Sequence, residues 1–153
     1  MHLRGLVHVN INCSDFERSR AFYEALGFER FLDVPERNSP AVEAAVGLPD
    51  YRVRGGLLRL RGAKPPLVID LLEWRSPSDA EPPYARLNHL GIARLAIATS
   101  DLDADVAALR ARGVELLSEP ATVEWEGRAH SRFVCFKDPD GTVLELVQDV
   151  SPG

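Results

Sequence analysis

The sequence predicts an α+β fold: two βαβββ modules whose strands form one eight-stranded, cup-like mixed sheet with the helices outside. The first observation is an internal repeat, because residues 8–29 align without a gap on residues 94–115, an offset of 86, with seven identities in 22 positions. The second is the order of patterns in each copy, where a strand-like alternation precedes a helix-like segment and then three extended runs. A duplicated unit of mixed secondary structure follows from these two observations.

The first strand and helix are predicted from the opening repeat. Residues 6–12 alternate between apolar and polar side chains, as a half-buried strand does. The polar face carries His8, Asn10 and Asn12. Ser14 is a candidate N-cap with Glu17 three residues later, a capping-box pattern, and Gly27 is expected to end the helix.

Short extended runs separated by Gly and Pro supply the remaining strands. They cover residues 30–34, 53–62 and 65–74 in the first half and residues 114–120, 129–138 and 142–150 in the second. Residues 35–50 are expected to form a loop with a single helical turn, long enough to border a site. The closing strands also align, with Asp70 on Glu145, and both acids lie inside apolar strands.

Length and composition bound the domain organisation. A chain of 153 residues with 45% hydrophobic and 27% charged residues predicts a single globular domain, residues 1–153. The two repeats occupy about 1–75 and 90–150. A connector rich in Pro, Ser and charge, residues 75–89, joins them.

Charge and cysteine content exclude several classes of protein. The net charge is −5 without basic runs, so no nucleic-acid partner is expected. Asn10 and Asn12 interrupt the N-terminal apolar stretch, which argues against a signal peptide or membrane span and favours a cytoplasmic protein. Cys13 and Cys135 have no CxxC spacing and are expected to be buried free thiols.

Four ionisable side chains are expected to face one cavity. Burial favours joining the sheets of the two halves, so the strand faces opposite the helices would line the cup. Period-two alternation places on those faces His8 from the first strand, Asp70 from the fourth, Arg94 from the fifth and Glu145 from the eighth. We therefore expect a charged cavity.

Carboxylates inside apolar strands need a partner. One candidate is a divalent cation (Zn, Mn, Fe or Ni) held by His8, Asp70 and Glu145, with open positions for substrate. The other is Arg94, whose guanidinium can bridge both carboxylates as an ion-pair network. The residues alone leave both alternatives open.

The repeated module, the opening HVNINCSDFERSRAFYEALGFE and the closing FKDPDGTVLELVQ resemble the vicinal oxygen chelate superfamily. That superfamily includes glyoxalase I, extradiol dioxygenases, fosfomycin-resistance transferases and bleomycin-resistance proteins, and the resemblance covers nearly the whole chain. In its metal-dependent members the ligands come from the first, fourth, fifth and eighth strands. The matching positions here are His8, Asp70, Arg94 and Glu145.

Two of these positions depart from the common pattern. Asp70 stands where Glu, Gln or His is more usual, and it reaches one methylene less. Arg94 stands where many members have a His, and a guanidinium cannot ligate a metal. At most three familiar ligands, His8, Asp70 and Glu145, remain.

The resemblance implies a small-molecule partner, a homodimer and one of several functions. The first is a metal-dependent lyase, isomerase or dioxygenase-like enzyme on a small oxygenated substrate, in which Glu145 or Asp70 moves a proton and Arg94 stabilises negative charge. The second is a metal-free, antibiotic-sequestering protein. The third is a metal-free enzyme in which Arg94 anchors an anionic substrate.

Asn10, Arg94 and Trp125 are the expected substrate contacts. Trp125 lies in the Glu-flanked segment VEWEGR and is placed at the cavity mouth as a stacking surface. Trp74 and Tyr84 are expected to be structural.

Overall fold

The computed structural model describes residues 1–151, and the chain divides into two compact units, Met1–Glu81 and Pro82–Gly153. Each unit contains one βαβββ module, and the first carries one additional helix. The α+β class built from two such modules is therefore confirmed. The single domain over residues 1–153 stays a prediction. None of the helices in the described residues is long and apolar enough to cross a membrane.

The first module is a four-stranded mixed sheet with a helix packed on one face. Its elements are β1 (Val9–Asn12), α1 (Phe16–Ala25), β2 (Phe28–Val34), α2 (Pro40–Val46), β3 (Arg52–Leu60) and β4 (Val68–Ser76). The strand order is β1-β4-β3-β2, with β1 parallel to β4 and the other pairs antiparallel. Its fully buried side chains include Phe16, Tyr23, Phe28, Leu58, Ile69 and Leu71.

The second module repeats this arrangement. Its elements are β5 (Leu95–Ala98), α3 (Leu102–Ala111), β6 (Ala121–Trp125), β7 (Arg128–Lys137) and β8 (Val143–Asp149). The order β5-β8-β7-β6 matches that of the first sheet, again with the first and last strands parallel. Its fully buried side chains include Leu102, Val134, Phe136 and Leu144.

Strand register confirms the duplication in detail. Asn10 of β1 pairs with Asp70 of β4, and Ala96 of β5 pairs with Glu145 of β8. These are the positions that the sequence alignment equates. Each module therefore places an acidic residue of its closing strand beside the same position of its opening strand.

Both long helices begin at an aspartate. Asp15 accepts a hydrogen bond from the Arg18 amide, and Asp101 accepts one from the Ala104 amide, each at 3.0 Å. The predicted N-cap Ser14 is thus wrong by one residue. Asp15 takes that role because its backbone is extended and its carboxylate reaches the third amide of the helix.

Several predicted element boundaries need correction. β1 and β5 each contain four residues, so His8 and Arg94 immediately precede their strands instead of lying within them. Residues 114–120 form no strand, since they contain only an isolated bridge at Leu116, and Pro120 lacks an amide for a ladder.

The segment predicted as a loop with a single helical turn contains the seven-residue helix α2. Ser39 caps its N-terminus, accepting a hydrogen bond from the Val42 amide. Gly47, with a φ of 74°, ends it in the left-handed conformation that favours glycine. The helix is therefore delimited by ordinary capping residues at both ends.

Two adjacent glycines in β3, Gly55 and Gly56, lie close to the backbones of the neighbouring strands. A Cβ atom on Gly55 would lie 2.5 Å from the Leu71 carbonyl oxygen and overlap the Leu72 side chain, whereas one on Gly56 would lie 3.0 Å from the Leu32 carbonyl oxygen. We expect Gly55→Ala to lower the free energy of unfolding by about 1–3 kcal/mol because β4 must shift to accommodate it. Urea denaturation should rank wild type above Gly56→Ala and Gly56→Ala above Gly55→Ala; equal stability of the three would contradict the packing.

Candidate functional site

The first module places a histidine beside a carboxylate. His8 precedes β1, and its Nε2 atom lies 4.0 Å from Asp70 Oδ2 in β4. The His8 side chain is 41% exposed and that of Asp70 is 19% exposed. This separation is too long for a hydrogen bond but short enough for attraction between an imidazolium and a carboxylate.

Asp70 has an unsatisfied oxygen. Its Oδ1 atom is buried and has no hydrogen-bond partner among the residues that the structure describes. Burial raises the pKa of the Asp70 carboxyl above its ordinary value, while the charge of His8 and the amide of Asn10 oppose that rise. A buried acceptor without a partner is costly, so this atom is the position in the first module best suited to a ligand's hydrogen-bond donor.

The face of β1 and β4 that carries Asp70 is lined by polar and aromatic side chains. Asn10 donates a hydrogen bond from Nδ2 to the Asp70 backbone carbonyl at 3.0 Å. Asn12 accepts one from Trp74 Nε1 at 2.8 Å. Because strand residues alternate between faces, Asp70 and Trp74 share one face of β4, opposite the buried Leu71. The sequence alone predicts a structural role for Trp74. The period-two rule that places Asp70 among the candidate site residues also places Trp74 on the same strand face.

In the second module, the carboxylate at the equivalent position has an ion-pair partner. Arg94 Nε forms a direct ion pair with Glu145 Oε2. The Glu145 side chain is 9% exposed and that of Arg94 is 42% exposed, so the pair reaches from the sheet interior to the solvent. The arginine at the head of the module therefore neutralises the carboxylate of its own closing strand.

Cys135 is a second neighbour of that carboxylate. Its thiol lies 3.7 Å from Glu145 Oε2, and the two residues pair across β7 and β8. Burial raises the pKa of the Cys135 thiol, the Glu145 carboxylate raises it further, and Arg94 opposes the rise. The thiol thus stays protonated and directs its hydrogen towards Glu145. The predicted burial of Cys13 and Cys135 as free thiols is confirmed.

Trp125 lies at the end of β6 and is 68% exposed. Its ring stacks on His130, with centroids 5.7 Å apart and an interplanar angle of 24°. The adjacent turn has positive φ angles at Glu126 and Gly127. The exposure suits a ligand-stacking residue, and the predicted substrate contact at Trp125 stays a prediction, as do those at Asn10 and Arg94.

Neither module by itself supplies a complete metal centre. In the first module, His8 and Asp70 supply two donors, fewer than the three protein ligands usual in a catalytic site. In the second, the guanidinium of Arg94 has no lone pair to donate and engages Glu145. No group of three or more His, Cys, Asp or Glu side chains within residues 1–151 is arranged to hold a metal ion. The ligand set His8, Asp70 and Glu145 stays a prediction.

Known proteins resemble this chain over nearly its whole length. The sequence model of the Glyoxalase/Bleomycin resistance protein/Dioxygenase superfamily matches residues 5–146. YwkD of Bacillus subtilis is 30% identical over 151 residues, covering 97% of this chain and 99% of YwkD. YaeR of Escherichia coli is 30% identical over 147 residues, covering 95% of this chain and 97% of YaeR.

Solved structures share the fold. A glyoxalase family protein from Bacillus cereus superposes with a TM-score of 0.81 at 21% identity, covering 99% of this chain and 97% of that one. TnmS3, an antibiotic binding protein from Streptomyces, gives 0.62 at 27% identity, covering 97% and 99%. The fosfomycin resistance protein FosX from Listeria monocytogenes, in a variant complexed with Mn(II), gives 0.62 at 18% identity, covering 97% and 95%.

Asp70→Asn should stabilise the protein at neutral pH. Since the folded-state pKa of Asp70 is raised, its ionisation disfavours the folded state once the pH rises above the ordinary value of 3.8. The gain in melting temperature should therefore be largest near pH 7 and vanish as the pH falls below 3.8. Asp103→Asn is the opposite-sign control, because Arg132 lowers the pKa of Asp103 and its neutralisation removes a stabilising charge. A pH-independent gain for Asp70→Asn would refute the burial argument.

Removing Arg94 should expose the cost of a buried carboxylate. We expect Arg94→Met to lower the free energy of unfolding by about 1–3 kcal/mol, below the value for a fully enclosed pair because Arg94 is half exposed. The same substitution in a Glu145→Gln background should cost clearly less. A double-mutant cycle by urea denaturation measures this coupling, and a coupling energy near zero would contradict it.

Arg132→Met serves as the matched control in the same module. Arg132 pairs with the exposed carboxylate of Asp103, so its loss should lower the free energy of unfolding clearly less than the loss of Arg94 does.

Proposed function

This chain belongs to the Glyoxalase/Bleomycin resistance protein/Dioxygenase superfamily, and we propose that it acts there as a metal-free protein that binds a small molecule without transforming it. The ion pair between Arg94 and Glu145 is the observation that carries this proposal. In the metal-dependent members that the sequence resembles, both positions supply ligands.

The pair of Arg94 and Glu145 provides neither a metal site nor a free base. A resident metal offers an open Lewis-acidic position, and a free carboxylate offers a base. Arg94 provides the positive charge without a coordination site, and its contact with Glu145 neutralises that base. The charges of the second module thus cancel at this position. Neither a Lewis-acidic metal nor a free carboxylate base is available there for catalysis.

The first module supplies the reason for proposing ligand binding. Asp70 Oδ1 is a buried acceptor without a partner within the described residues, and a ligand's hydroxyl or ammonium group would satisfy it. The net charge of −5 favours a cationic ligand at long range. The 27% identity to the antibiotic-binding protein TnmS3 supports the same class of function. Asn10, Arg94 and Trp125 are the further contacts that we propose, and a homodimer stays a prediction.

A metal-dependent enzyme is the competing function. The specific observation in its favour is the pair of His8 and Asp70, two side chains of the types that bind divalent cations, with one carboxylate oxygen unused. This alternative requires His8, Asp70 and Glu145 to bind a metal and predicts about one ion per chain.

Metal analysis separates the two functions. Protein purified without chelator, incubated with Zn, Mn or Ni and desalted should retain well under one ion per chain, because Arg94 occupies the position of a ligand. Arg94→His should retain more metal, since it restores an imidazole beside Glu145, and Arg94→Met should not. One ion per wild-type chain, lost in His8→Ala, would overturn the metal-free proposal.

Ligand binding is tested by thermal shift against a panel of cationic antibiotics. A true ligand should raise the melting temperature as its concentration rises, by mass action. At a hundredfold excess over Kd, the bound ligand adds about 2.7 kcal/mol to the free energy of unfolding. Asp70→Asn should weaken the shift for a ligand whose ammonium group binds Oδ1. Silence across the panel together with stoichiometric metal would refute the proposed function.

A further inference from the structure

An aromatic side chain shares the strand face of the unsatisfied carboxylate. On β4, the alternation places Asp70, Leu72 and Trp74 on one face, while Ile69 and Leu71 point into the core. A rise of about 3.3 Å per strand residue separates the Cα atoms of Asp70 and Trp74 by about 13 Å. The first module therefore carries an acceptor at one end of this row, an apolar side chain in the middle and an indole at the other end.

The indole of Trp74 is held in one orientation. Its Nε1 atom donates to Asn12 Oδ1, which fixes one edge of the ring. The ring of Tyr51 packs edge-on against it with centroids 5.3 Å apart, and the Tyr51 hydroxyl accepts a hydrogen bond from Asn38 at 2.7 Å. Despite these contacts, Trp74 is only half-buried. A ring that is fixed but incompletely covered is preorganised for stacking.

The duplication provides an internal comparison. The position that corresponds to Trp74 in β8 is Asp149, and the one that corresponds to Asn12 in β5 is Ala98. The indole and its hydrogen-bond acceptor are thus both present in the first module and both absent from the second. The core of the repeat folds without this pair, so folding of a βαβββ module does not by itself require it.

We propose that Trp74 is a specificity-determining residue that stacks on a flat ring system of the ligand while Asp70 Oδ1 accepts a hydrogen bond from the ligand's other end. The ligand is then an elongated, multi-ring aromatic molecule with a hydroxyl or ammonium donor at one terminus. A single ring is too short to reach from one residue to the other. This inference rests on the proposed function and names the ligand class of the same site.

Three probes test the two ends separately. They are 3-aminoacridine, which has three fused rings and an amine on an outer ring; acridine, which lacks the amine; and cyclohexylamine, which lacks the flat ring. By calorimetry, 3-aminoacridine should bind wild-type protein about tenfold more tightly than either partial probe, since each partial probe lacks either the stacking contact or the charge-assisted hydrogen bond. Equal affinity for 3-aminoacridine and cyclohexylamine would overturn the role of Trp74.

Variants assign the effect to residues. Trp74→Leu should weaken 3-aminoacridine binding about tenfold and leave cyclohexylamine unchanged, whereas Trp74→Phe, which keeps a ring, should retain affinity within about threefold. Asp70→Asn should reduce the preference for 3-aminoacridine over acridine. A loss of affinity for all probes alike in Trp74→Leu would indicate a structural role and overturn the proposal.

A spectroscopic test needs no change at Trp74. The chain has two tryptophans, so Trp125→Phe leaves Trp74 as the single indole. Bound 3-aminoacridine should quench its emission in a saturable way, and binding without quenching would contradict stacking. If cationic antibiotics shift the melting temperature but the three probes fail to bind, the inference falls while the proposed function stands. If wild-type protein carries stoichiometric metal, the proposed function itself falls.

Discussion

The parallel pairing of the opening and closing strands is the constraint on which the rest of each module depends. β1 pairs with β4 and β5 with β8, so the residue that precedes each opening strand lies beside an acidic residue of the closing strand. A parallel pair requires a crossover, and helices α1 and α3 begin that connection on the apolar face of each sheet. The polar contacts of the two candidate sites follow from this single register, which is the same in both copies.

The two modules share one strand geometry but differ in whether the buried carboxylate of the closing strand is paired. In the second module, Arg94 and Cys135 both contact Glu145, so a nearly buried carboxylate is compensated by its own module. In the first module, His8 remains 4.0 Å from Asp70, and one carboxylate oxygen has no partner in the described part of the chain. Since burial raises the pKa of Asp70, the first module retains a group that opposes its own stability, as binding sites commonly do.

Period-two alternation and helix-capping patterns predict most of the secondary structure. They are sufficient to predict the duplicated βαβββ order and the equivalence of Asp70 and Glu145, because those signals are local. The residue pattern predicts β6 too early in the chain because Leu116 and Leu117 are typical of a strand, whereas its ladder with β7 begins only at Ala121. The pattern does not select Arg94 as the partner of Glu145, since a metal and a guanidinium satisfy the same carboxylate and only side-chain geometry distinguishes them.

The asymmetry between the modules supports the proposal that the first one binds the ligand. The fold tolerates an arginine at the head of a module, as Arg94 demonstrates, and an arginine preceding β1 would neutralise Asp70 in the same way. The first module instead has a half-exposed histidine and Asn10 beside an unsatisfied oxygen, with Asn12 and an oriented indole further along the same strand face. None of these replacements completes the compensation that the other copy achieves. A set of polar groups that leaves its central acceptor unpaired is better matched to a molecule from solution than to the stability of the sheet.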